Sequence, residues 1–114
     1  MSLEKRAIKA VAKFLENRGD TVIEKVPSKN IDIVYSDAYG EVHFVIISVE
    51  IGKMPPSINK SFRPEIEEEV LDWLADCKFN CDSEFKMHFD AVYLAVIHGD
   101  RAMLKYHHDY FNLA

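Results

Sequence analysis

Asn30-Ile31-Asp32-Ile33-Val34-Tyr35-Ser36-Asp37-Ala38-Tyr39-Gly40-Glu41-Val42-His43-Phe44-Val45-Ile46-Ile47-Ser48-Val49-Glu50-Ile51 is the stretch that decides the fold. Two runs rich in β-branched and aromatic residues flank a short polar turn, which is the pattern of a β-hairpin. The strands read as Asn30 to Ser36 and Glu41 to Ile51, joined through Asp37-Ala38-Tyr39-Gly40. Gly40 suits the left-handed position that closes a three-residue loop. Asp37 then faces Glu41, and the numbers of paired residues sum to 78. This register sets Asp32 opposite Ile46, on one face of the sheet, with Cβ atoms about 5 Å apart.

The rest of the chain follows from periodicity. Leu3, Ala7, Ala10, Val11, Phe14 and Leu15 recur at helical spacing, with Ser2 to cap the start and Gly19 to stop the end. Thr21 to Val26 alternates like a strand, and Pro27 ends it. Gly52 to Ser61, with Pro55 and Pro56, reads as a loop. Pro64 opens a second helix from Glu65 to about Cys77, with Ile66, Val70, Leu71, Trp73 and Leu74 on its apolar side. Trp73 reads as core. Lys78 to Lys86 is polar. Phe89 to Ile97 fits a central strand buried on both faces, and Ala102 to Tyr106 a last strand.

The order is α-β-β-β-α-β with a further β at the end. A helix between the strands at Ile51 and Phe89 implies a parallel crossover, so the expected class is α/β (α+β), with a mixed central sheet flanked by helices. A chain of 114 residues, 48% hydrophobic, is read as a single domain, residues 1–114, with a real core.

Composition narrows the function. The run Phe44 to Val49 is far too short to span a bilayer, so no membrane partner is expected. Met1-Ser2-Leu3-Glu4-Lys5-Arg6 has no apolar signal segment, and the expected location is cytoplasmic. Two cysteines, Cys77 and Cys81, fit a reducing compartment. Their spacing suits half of a zinc site, but without a second pair two buried free thiols are the simpler reading. The net charge of −5 argues against strong nucleic-acid binding. The basic residues are nevertheless grouped. Lys5, Arg6, Lys9 and Lys13 share the first helix, while Glu65, Glu67, Glu68, Glu69 and Asp72 crowd the second. Two solvated helix faces explain this plainly, and Lys5, Lys9 and Lys13 are the candidate nucleic-acid contacts.

An acid on one strand, facing an acid-x-lysine on the next, builds the metal site of many small nucleases. Two such carboxylates would share a magnesium ion through bonds of about 2.1 Å. Here Asp32 is in place, but Ile46 and Ser48 stand where the second acid and the lysine belong. Glu50 shares their face, yet four residues along a strand is about 13 Å from the level of Ile46. Lys53 lies further on. Asp32 alone reads as a polar residue at a pocket edge, satisfied by backbone donors or water, and Glu4 as a first-turn helix acid.

The chain resembles the small bacterial YraN-like family of the restriction-endonuclease-like, PD-(D/E)xK superfamily over almost its whole length. Glu4-Lys5-Arg6-Ala7 followed by Phe14-Leu15-Glu16-Asn17-Arg18-Gly19 resembles the family's opening helix. Ile31-Asp32-Ile33-Val34 resembles its Glu-Ile-Asp-Leu-Ile, with Asn30 for the glutamate. Phe44-Val45-Ile46-Ile47-Ser48 occupies the place of Phe-Val-Glu-Val-Lys, and Phe89-Asp90-Ala91-Val92 resembles Phe-Asp-Val-Val. The resemblance implies a restriction-endonuclease-like core, with Glu4 and Asp32 as the carried-over site acids. The departures at Ile46 and Ser48 point against an enzyme.

The expected function is therefore that of a small bacterial nuclease-fold domain without catalysis. It would act as an interaction or weak nucleic-acid-binding module, with a protein partner or self-association and no cofactor. The alternative is an active endonuclease, with magnesium or manganese at Asp32, assisted by Glu4 and a displaced Glu50. The histidines add no ligand set by spacing. His107 and His108 point apart whether on strand or helix, and the terminal segment Tyr106 to Phe111 reads as packing. His43 and His88 read as partly buried structural residues, and Asp90 as an edge residue of the last core strand.

Overall fold

The computed structural model describes residues 2–51, 64–76, 86–98 and 101–111. Helix α1 (Leu3–Asn17) begins where Ser2 Oγ accepts the Lys5 N–H at 3.2 Å. It ends in a Schellman motif. Gly19, at φ +101°, donates to Glu16 O, and Asp20 N–H donates to Leu15 O. Its inward stripe is Ala7, Ile8, Val11, Ala12 and Leu15. That corrects the expectation for Ala10 and Phe14, which face outward. The Phe14 ring lies under the Arg18 guanidinium, 5.4 Å away.

Strands β1 (Thr21–Lys25), β2 (Ile33–Ser36) and β3 (Val42–Ile51) form an antiparallel meander. Helix α2 (Pro64–Ala75) then leads to β4 (Met87–His98), which is parallel to β3. Strand β5 (Arg101–Phe111) returns antiparallel to β4. The sheet order is β1-β2-β3-β4-β5. Among the described residues the fold is thus α+β, with a mixed five-stranded sheet and two helices, as the element order implied. Cys77, Cys81, Lys53, the expected loop Gly52 to Ser61 and most of Lys78 to Lys86 lie outside the described residues.

The hairpin register is the one read from Gly40. Ile33 pairs with Val45 and Ser36 with Val42, Gly40 has φ +79°, and Asp37 N–H donates to Glu41 O at 3.0 Å. Several strand bounds need correction. Strand β2 begins at Ile33 rather than Asn30, β4 runs from Met87 to His98, and β5 reaches Phe111 rather than Tyr106.

The sheet is covered on both faces, because alternate residues of β3 point to opposite sides. Phe44, Ile46, Phe89 and Ala91 pack with Ile66, Val70 and Trp73 of α2. Trp73 is core, edge-on to Phe44 at 5.5 Å, and its indole N–H donates to Glu24. Val45, Ile47, Val92, Ile33 and Tyr35 pack with α1 on the other face. Glu69 of α2 accepts the Asn30 backbone N–H at 2.8 Å and its side-chain amide at 2.6 Å, tying α2 to the approach of β2.

Candidate functional site

Asp32 lies one residue short of the β2–β3 ladder. Its own N–H donates to Val45 O at 2.9 Å, and its carboxylate accepts the Ile47 N–H at 2.6 Å. A regular antiparallel ladder would pair that amide with a backbone carbonyl. The carboxylate stands in for the carbonyl, and this is why the strand starts at Ile33. Ile46 is buried against α2 and offers no lone pair. Ser48 is buried too, and among the described residues its Oγ has no hydrogen-bond partner.

The other expected acids sit elsewhere. Glu50 accepts from Tyr93 Oη at 3.0 Å. Its neighbour Val49 packs on the α1 face, so by alternation Glu50 belongs to the α2 face. Glu4 is exposed in the first turn of α1, on the opposite side of the sheet. Glu4, Asp32 and Glu50 are not brought into one group of potential metal ligands. Lys5, Lys9 and Lys13 are exposed at successive helical turns, beside the exposed Arg6. Lys5 and Lys9 share a shallow depression of about 280 Å³ with Ile8, Lys25 and Val26.

A second polar cluster lies beyond the C-terminal end of α1, on the same sheet face. Neighbouring strands place Tyr35, His43 and His88 side by side. Their rings stack at centroid distances of 4.4 Å, Tyr35 on His43 and His43 on His88. His43 is held at both nitrogens. Nδ1 lies 2.6 Å from Asp90 Oδ2, and Nε2 lies 2.8 Å from Asp37 Oδ2. His88 is bridged in the same way between Glu41 and Asp109.

Asp90 is the centre. It is wholly buried on β4, which corrects the expectation of an edge residue. Its Oδ2 accepts from Tyr106 Oη, and its Oδ1 accepts the Asp109 N–H at 2.8 Å. The last contact depends on a bulge. Residues 108–110 of β5 stand opposite Asp90 alone, between the pairs Ala91–His107 and Phe89–Phe111, and Asp109 takes φ +51°. The bulge also brings His108 Nδ1 to 3.7 Å from Asp90 Oδ2, while His107 packs against Tyr110. Beyond Tyr106, Tyr35 Oη is 2.6 Å away and receives a hydrogen bond from Arg18.

The electrostatics follow from burial and partners. Burial works against a charged His43, but hydrogen bonds and attraction from Asp90 and Asp37 outweigh it and raise its pKa above the ordinary value. Burial pushes the Asp90 carboxyl up, yet donors from His43, Tyr106 and the Asp109 N–H together hold it below the usual range. His88 is also raised. Burial opposes its charge, Glu41 and Asp109 favour it, and repulsion from His43 limits the effect.

Sequence reasoning treated these residues one at a time. The available signal was polar residues at core-facing positions of apolar strands: His43 in β3, and His88 with Asp90 in β4. The strand pairing that unites them is tertiary. No family model matches the chain, and no curated protein matches it. Among the described residues, no helix is long and apolar enough to cross a membrane.

Proposed function

We propose that the chain is a non-catalytic nuclease-fold module that binds nucleic acid weakly through the outer face of α1. The observation that carries this reading is the cationic stripe of Lys5, Arg6, Lys9 and Lys13, with Lys25 beside it. All five are exposed, and among the described residues none is ion-paired. A phosphate backbone rewards such a row through counterion release. The element order, with a meander followed by a helical crossover to a parallel strand, is what a restriction-endonuclease-like core would present. Asp32 opposes catalysis. Its carboxylate is committed to a backbone amide, and its neighbour Ile46 supplies no second anion.

The test is fluorescence anisotropy with a labelled single strand across a salt series. Four phosphate contacts give a log–log salt slope of roughly −3. The charge reversals Lys9→Glu and Lys13→Glu on an exposed face should weaken binding about tenfold or more and flatten that slope. Binding that ignores both changes, or no binding at low salt, would remove the reading. Manganese-dependent cleavage abolished by Asp32→Ala would replace it with an active endonuclease.

A further inference from the structure

We propose that His43 Nδ1, Asp90 Oδ2 and His108 Nδ1 form a binding site for a zinc-class divalent ion. This goes beyond the nucleic-acid reading and uses none of its residues. Among the described residues these three form the only group of three or more potential ligands, with their atoms all within 4.8 Å of one another.

The first argument is one of lone pairs. The Asp37 carboxylate can only accept, so His43 Nε2, 2.8 Å from it, carries a hydrogen. The other nitrogen, Nδ1, faces Asp90 Oδ2 at 2.6 Å. Two lone pairs cannot face each other at that distance, so a positive centre belongs between them. A proton can fill the role, and so can a metal ion.

His108 favours the metal. Its Nδ1 lies 3.7 Å from the same oxygen, too far for a hydrogen bond. With zinc–ligand bonds of about 2.0–2.1 Å, neighbouring ligand atoms of a tetrahedral site are roughly 3.3 Å apart. The spacing from His43 to Asp90 must open a little and that from His108 must close a little. His108 is exposed, its ring tilted against that of Tyr106 at 4.4 Å, and a fourth position would fall to water. Tyr106 Oη also donates to Asp90 Oδ2 and remains beside the ligand oxygen.

The surroundings suit the role. A carboxylate on the outer nitrogen of a ligating histidine fixes its tautomer and orientation, and Asp37 does this for His43. The Asp109 N–H holds Asp90 Oδ1, so Oδ2 stays aimed at the two imidazoles. Asp109 adopts φ +51° in doing so, and it is the bulge around it that turns His108 inward. Two imidazoles with one carboxylate select zinc or cobalt over magnesium or calcium, which prefer all-oxygen shells.

The full chain, stripped of metal with a chelator and returned to chelator-free buffer, is titrated with Zn²⁺ by calorimetry and with Co²⁺ by visible absorption. Expected are one equivalent of metal and the visible cobalt bands of a four-coordinate nitrogen–oxygen site. His108→Ala, at an exposed position, should weaken binding at least tenfold. Asp37→Asn should weaken it by roughly 10–100-fold. His107→Ala should change nothing. The double variant Cys77→Ser and Cys81→Ser should keep both the metal and its spectrum. The site is refuted by no binding at all. It is equally refuted by binding that survives His108→Ala, or by a thiolate-to-cobalt band that vanishes with the cysteines.

Discussion

The hydroxyls of Tyr35 and Tyr106 lie 2.6 Å apart, and their direction of donation is settled by what surrounds them. Tyr106 gives its proton to Asp90, so it accepts from Tyr35. Tyr35 in turn accepts from Arg18 at 3.2 Å. Protons thus point one way along the row, from the helix cap to the buried carboxylate. Each bond polarises the next.

The row predicts an order of mutational cost. Tyr106→Phe removes a donor to a buried charge and should cost about 2 kcal/mol, while Tyr35→Phe removes a donor to a neutral oxygen and should cost about 1 kcal/mol. Urea denaturation of both metal-free variants measures the difference. Equal or inverted costs would mean that Asp90 does not depend on Tyr106.

The same phenols set an alkaline limit. Burial, before any other cause, pushes Tyr35 up to about 12, and burial beside Asp90 raises Tyr106 as well. A phenol raised in the folded state contributes its full stability below its unfolded value of about 10 and loses it as pH rises through the folded value. Tyr35 and Tyr106 should resist ionisation in an ultraviolet titration until the chain unfolds. In the doubly substituted Tyr35→Phe, Tyr106→Phe protein the resistant fraction should fall by those two phenols.

An acid limit comes from Glu69. Burial pushes its carboxyl up, but the Ser28 hydroxyl and the two Asn30 donors bring it below the ordinary value. A lowered carboxyl stabilises the fold fully above its unfolded value and loses that contribution as pH falls through the folded one. Glu69→Gln should cost about 1 kcal/mol at neutral pH and much less once the carboxyl is protonated. Melting curves for both proteins from about pH 7 to about pH 3 should converge at the acid end.

Ser48 gives a prediction of the opposite sign. A buried hydroxyl without a partner carries a desolvation cost of about 1–3 kcal/mol. Ser48→Ala should therefore raise stability by roughly 1 kcal/mol and the melting temperature by a few degrees. A loss of stability would show that Oγ has an acceptor after all.

Much of the fold was readable because local chemistry and tertiary structure agree. Gly40 set the hairpin register, and Ser2 and Gly19 marked both ends of α1. Asp32 reads as satisfied by backbone donors, and the Ile47 N–H is one; that its side chain thereby takes a ladder amide and delays β2 is a competition that alternation does not encode. Asp90 was misjudged because its partners arrive from β3 and β5 through pairings distant in sequence. The first half of β5 was legible as a strand, whereas Tyr106 to Phe111 reads as packing because it is polar, as border strands often are.

Border strands invite edge-to-edge stacking into fibrils, and β5 is one of the two borders of this sheet. The bulge opposite Asp90 breaks the even spacing of amides and carbonyls along it. A second molecule seeking to extend the sheet finds a regular template only from Ala102 to His107, with the exposed Lys105 within it. The insertion that gathers the histidines also acts as a guard against amyloid growth from that side.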